Sequence, residues 1–160
     1  MVSTNFLYTF QGNNVNKLYV DVNTADGTKV LDHRNAFTST KLKELYVTGI
    51  WGGDLRSIVL NCTNLITVDF SGLDFSNIVT DGWGPISGAT NVENFKMGTG
   101  YSASLSFSTN PKLTKESLLS ILNNLPQVSS TKTLTLGSIN LAKLSSSDIT
   151  IATGKNWTVV

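Results

Sequence analysis

Residues 35–47 read Asn35-Ala36-Phe37-Thr38-Ser39-Thr40-Lys41-Leu42-Lys43-Glu44-Leu45-Tyr46-Val47. Leu42, Leu45 and Val47 follow the spacing apolar-x-x-apolar-x-apolar, and the alternation at its end predicts a short strand with one face turned inward. The same spacing appears as Val15, Leu18 and Val20, as Leu65, Val68 and Phe70, and as Val92, Phe95 and Met97. A fifth copy keeps only Leu134 and Leu136. The central residues Leu18, Leu45, Val68, Phe95 and Leu134 lie 27, 23, 27 and 39 positions apart. A unit this small cannot bury its apolar face alone, so successive units are expected to stack around one shared interior.

The approach to each strand repeats as well. Ser39, Cys62 and Ala89 each stand three positions before the first apolar residue, and the Thr and Asn residues that follow them turn the chain into the strand. These segments resemble the BspA-type leucine-rich repeats, which run Ala-Phe, small residue, Leu-x-x-Ile-x-Ile, although the Ile-Pro that usually follows the strand is missing here. The resemblance covers about residues 15–140. It implies an α/β solenoid, a short irregular leucine-rich repeat with parallel strands on one face and a helical C-terminal cap. It also implies a bacterial, protist or phage surface protein. The expected organisation is a single domain over 1–160, with an N-terminal cap at 1–14, repeats over 15–110 and a helix-containing C-terminal repeat and cap over 111–160. Alternating Phe6, Tyr8 and Phe10 suggest an opening strand in the first of these.

The C-terminal third has helix punctuation. Asn110-Pro111 breaks the preceding segment, and Thr114 is a good N-cap for a helix from about Lys115 to Leu125, which Pro126 ends. This helix, inserted before a strand over Thr133–Leu136, explains the longer last spacing. Ser145-x-x-Asp148 has the form of a capping box, Gly154 suits a helix stop, and Trp157–Val160 reads as a closing strand.

Composition narrows the function classes. Charged residues are 14% of the chain and the formal net charge is +1. Clustered Lys and Arg able to neutralise phosphates are therefore missing, which argues against nucleic-acid binding. No apolar run is long enough to suggest membrane insertion, and Met1–Leu7 lacks the basic and apolar segments of a secretory signal. Ser, Thr and Asn supply 54 of the 160 residues, a polarity common on extracellular and virion β-rich proteins. The single cysteine, Cys62, forbids an internal disulfide and reads as a small buried residue.

Catalytic sets with useful spacing do not emerge. His33 is the only histidine and lies beside Asp32, with no Gly-x-Ser-x-Gly motif. Asp69, Asp74 and Asp81 form the best carboxylate cluster, but Asp74 and Asp81 read as turn residues bonding their own backbone. Asp21–Gly27 departs from the calcium-loop pattern at its fifth and sixth positions. No metal site and no cofactor is expected. Asn61-Cys62-Thr63 and Asn156-Trp157-Thr158 match the glycosylation pattern by sequence alone.

The residues alternating with the buried ones give an outward row: Tyr19, Tyr46, Asp69, Lys96 and Thr135. Lys17, Glu44, Thr67, Asn94 and Thr133 flank it on one side, and Asp21, Thr48, Ser71 and Gly98 on the other. Tyr19, Tyr46, Asp69, Lys96, Glu44 and Asp21 are the candidate ligand-binding residues, with Tyr19 beside Tyr46 at the centre because aromatics dominate hot spots. Trp51 and Trp83, in Gly-rich corners, are either core plugs or a second exposed patch. The expected function is a non-catalytic recognition module, extracellular, on a cell surface or a virion, contacting protein or glycan on a host or neighbouring cell. A structural spacer or self-assembly domain is the alternative, and a polysaccharide-active enzyme a third reading.

Overall fold

The computed structural model describes residues 14–23, 36–52, 58–78 and 82–160. Four strands pair in parallel and in chain order: β1 (Lys17–Asn23), β2 (Glu44–Gly52), β3 (Thr67–Asn77) and β4 (Asn94–Lys96). A second parallel sheet is ordered β5 (Leu105–Ser106), β6 (Lys132–Thr135) and β7 (Trp157–Val159). Helices α1 (Lys115–Asn124), α2 (Ser138–Leu141) and α3 (Ser146–Thr153) lie between and beside these strands.

In the first sheet Leu18 opposes Leu45, Leu45 opposes Val68, and Val68 opposes Phe95. The last three are buried, as are the leading residues Leu42, Leu65 and Val92. Val15, in the same leading position, is 41% exposed; among the described residues β1 stands at the end of the strand order.

The expectation of a solenoid with a single run of stacked strands is corrected by the sheet topology. The strands fall into two small sheets, and Leu134 pairs with Leu105, not with Phe95. The physical reason lies at the outer edge of β4. Ser117 Oγ of α1 accepts the Phe95 amide at 2.8 Å, and Ser120 Oγ accepts the Met97 amide at 3.2 Å. The helix side chains satisfy donors that would otherwise await another strand, so the sheet ends there.

A bulge sets the inner face of β3. Tyr46 opposes Asp69 but Thr48 opposes Gly72, so one extra residue lies on β3. Val68 and Phe70 are buried before the bulge, and Leu73 and Phe75 after it. Gly72 is needed there, because a Cβ would come 2.7 Å from Thr48 Cγ2. Phe95 joins the two halves of the core, meeting Phe70 at 5.8 Å and Phe107 at 5.3 Å between ring centroids.

Local signals place the helices. Thr114 caps α1 by accepting the Ser117 amide, and Leu125 stands at its C-cap. Ser145 and Asp148 form a reciprocal capping box on α3, with Gly154 at the other end. The strand expected over Thr133–Leu136 is β6, one residue earlier, and β7 closes the chain. Neither α2 nor β5 was expected. The expectations for Phe6, Tyr8 and Phe10, for Asp32 and His33, for Thr24–Gly27 and for Asp81 lie outside the described residues. No helix among the described residues is long and apolar enough to cross a membrane.

Candidate functional site

Period-two alternation turns Tyr19, Tyr46, Asp69 and Lys96 to the face opposite the core, and the register sets them in one row across β1 to β4. Tyr19 is 66% exposed, and its ring stacks on that of Tyr46 at 4.6 Å between centroids and 19° between planes. Lys17 Nζ lies 5.2 Å from the Tyr19 centroid and 4.9 Å from that of Tyr46. Glu44 Oε2 accepts from both Lys17 Nζ and the Tyr46 hydroxyl at 2.8 Å. Two strands thus hold the tyrosine pair by stacking, cation–π attraction and charge-assisted hydrogen bonds.

The titration of these groups follows the same contacts. The bond to Glu44 raises the Lys17 ammonium above its ordinary value. The bond from Lys17, then that from Tyr46, holds the Glu44 carboxyl below its own. The neighbouring carboxylate also raises the Tyr46 phenol.

Further along, Lys96 Nζ pairs with Asp69 Oδ2 at 2.9 Å, while Asp69 Oδ1 accepts the amide and hydroxyl of Ser71 at 3.0 and 2.6 Å. Burial pushes the Asp69 carboxyl up, but the bonds from Ser71 and Lys96 outweigh it and leave the group below its usual range. Lys96 is raised in turn by Asp69. Thr48 donates to Asp21 Oδ1 at 2.8 Å, tying β1 to β2 on the other flank of the tyrosines.

Several outward positions are corrected. Thr135 belongs to the second sheet, opposite Ser106, and does not extend the row. The β3 bulge puts Gly72, not Ser71, opposite Thr48. Gly98 is buried against the Phe70 and Leu73 carbonyls. Trp51 and Trp83 make no exposed patch: they are 0% and 2% exposed. β2 runs on for nine residues, so its alternation carries Trp51 to the inner face with Leu45 and Val47, where it meets Phe37 edge-on at 5.8 Å. Trp83 packs on Phe75 and Tyr101 at 5.4 and 5.2 Å.

Of the carboxylate cluster, Asp69 and Asp74 lie among the described residues. Asp69 is engaged through both oxygens, and Asp74 Oδ1 accepts the Ser76 amide within its own strand. Among the described residues no group of three or more His, Cys, Asp and Glu is placed to hold a metal. Cys62 is buried, and its thiol donates to the Phe37 carbonyl at 2.9 Å; burial raises its pKa.

Sequence reasoning missed two features. Lys17 is the hub of the tyrosine cluster, and its only signal was its place opposite Glu44 in the flanking column. A groove of about 250 Å³ between β4 and α1, lined by Asn94, Lys96, Thr114, Glu116, Ser117 and Ser120, continues the row past Lys96. Local periodicity holds no trace of it, because its two walls belong to β4 and α1, with β5 between them in the chain. Comparison with protein-family models, with curated proteins and with solved structures gives no match to this chain.

Proposed function

We propose that this chain is a non-catalytic recognition module that engages its partner through the outer face of the first sheet. The observation that carries the reading is the large exposure of Tyr19 on a ring already fixed by Tyr46 and Lys17. A rigid aromatic offers contact area at little entropic cost, and such groups dominate binding energy. The salt bridges beside it are exposed and contribute little to stability, so holding that ring is a better account of their arrangement. The surface or virion setting rests on the resemblance to BspA-type repeats and on the polar composition.

The test is a paired screen of the wild-type chain and Tyr19→Ala against arrayed glycans and an immobilised peptide library. A ligand whose signal disappears in the variant supports the reading. Ligands that bind both chains equally, or none at all, overturn it. A structural or assembly role draws on a different observation, the exposed Ile139 and Val160 beside the second sheet. Concentration-dependent oligomers in sedimentation, abolished by Ile139→Asp, would establish that role instead.

A further inference from the structure

We infer that the row takes a neutral glycan chain lying across the strands, with Tyr19 as its stacking platform and the groove between β4 and α1 as its far subsite. The inference rests on the recognition reading above and names its ligand class. Three observations on the same face lead to it.

The first is the kind of apolar surface on offer. One face of the Tyr19 ring is held against Tyr46, and the residue remains two-thirds exposed. Among the described residues, those on the same face around it are Lys17, Asp21 and Glu44, all polar, so the platform they frame is a single flat ring. A protein interface wants a desolvated apolar centre and about 800 Å² on each side. A pyranose needs less: the C–H face of one sugar ring covers one aromatic ring, and its hydroxyls are left to the polar groups at the rim.

The second is charge. The two lysines of the row are matched within it, Lys17 by Glu44 and Lys96 by Asp69, at 2.8 and 2.9 Å. Asp21 and Glu116 add negative charge at its two ends. Among the described residues of the row, a sulfated, phosphorylated or uronic-acid chain would meet lysines already matched and two further carboxylates, which disfavours polyanions. A neutral polyol meets fixed polar groups instead: the Tyr46, Thr48 and Ser71 hydroxyls and the Lys96 ammonium, already positioned by their bonds to Glu44, Asp21 and Asp69.

The third is continuity and length. Strands about 4.8 Å apart place the Tyr19 ring roughly 14 Å from Lys96, where the groove begins. The groove sets Phe95 among the Asn94, Lys96, Thr114, Glu116 and Ser120 side chains, a mixed lining that offers polar groups to sugar hydroxyls and apolar surface to a sugar's C–H face. A chain stacked on Tyr19 and running across β2 and β3 enters that groove end-on.

Titration calorimetry of the full chain is run with neutral plant, fungal and bacterial polysaccharides, with alginate and hyaluronan as acidic counterparts, and with the immobilised peptide library as a third arm. The expected result is binding of a neutral polysaccharide that is unchanged between low and about 0.5 M salt, because no ion pairs are formed. Tyr19→Ala should weaken it at least about tenfold, as for a binding hot spot, while Tyr19→Phe keeps the ring and the affinity. Asn94→Ala with Glu116→Ala should weaken long oligosaccharides more than a disaccharide of the same sugar. Unaltered thermal unfolding of each variant separates lost contact from lost fold. Tyr19-dependent capture confined to peptides, or to the acidic polysaccharides, overturns the glycan inference and leaves the recognition reading standing. Absence of Tyr19-dependent binding in every arm overturns both.

Discussion

The outer row of the first sheet and the seam between the two sheets use polar residues in opposite ways. In the row, Lys17, Glu44, Asp69 and Lys96 pair side chain to side chain across strands in water. At the seam, polar side chains are buried and bond to backbone. Asn110 donates to the Ile86 and Ala89 carbonyls, each at 3.0 Å. Asn140 donates to Asn110 and Leu136 carbonyls at 3.1 Å, and Lys143 caps the Pro111 and Leu113 carbonyls at 2.7 and 2.6 Å. Removing a row residue returns its partner to solvent, whereas removing a seam residue strands a buried group. The row is therefore free to vary with a ligand, and the seam answers to folding.

This difference can be broken or sharpened by substitution, beginning where the effect should be greatest. Phe95→Ala removes the ring shared by both halves of the core and should cost about 4 kcal/mol of stability in urea unfolding. Asn110→Ala should cost about 2 to 3 kcal/mol, since two buried carbonyls lose their donor. Ser117→Ala should cost about 1 to 2 kcal/mol by leaving the Phe95 amide without an acceptor at the sheet edge, with slowed amide exchange lost at that position. A loss this large from any row residue would erase the contrast.

Acid titration probes a third setting, the exposed cap of α3. Lys115, and then the bonds from Ser145, lower the Asp148 carboxyl from 3.8 to about 2. A carboxyl depressed on folding stabilises fully above its unfolded value, and that contribution is lost as pH falls from 3.8 toward about 2. Asp148→Asn should lower the unfolding midpoint at neutral pH, where the contribution is fully present, and flatten its pH dependence between 3.8 and about 2. The smallest effect on stability is expected for Lys17→Met, which should leave the unfolding midpoint within error while weakening Tyr19-dependent binding less than Tyr19→Ala does.

Part of this molecule follows from its sequence read locally. The column Leu18, Leu45, Val68 and Phe95 was legible because a strand's side chains alternate with a fixed period, and equal spacing from the turn sets equal register. The caps at Thr114, Ser145 and Gly154 were legible because each acts on backbone within one helical turn. Burial of Cys62 followed from its place in the column of small residues before each strand, which Ser39 and Ala89 share. Asn110 stands three positions before Leu113 and repeats the same turn, its amide donating to the Phe107 carbonyl and the Leu113 amide to the Asn110 carbonyl; its polarity hid the match.

Tertiary structure alone decided the division into two sheets, the β3 bulge, the burial of Trp51 and Trp83, and the role of Lys17. Whether a sheet continues depends on what satisfies its edge amides, and here the acceptors Ser117 and Ser120 lie 22 and 23 residues from Phe95 and Met97. Whether an aromatic plugs the core or meets water depends on how far its strand runs and on which rings wait across the interior. Backbone periodicity and capping act over a few residues and are written in order along the chain. Edge satisfaction, burial and cross-strand pairing arise between residues that only folding brings together.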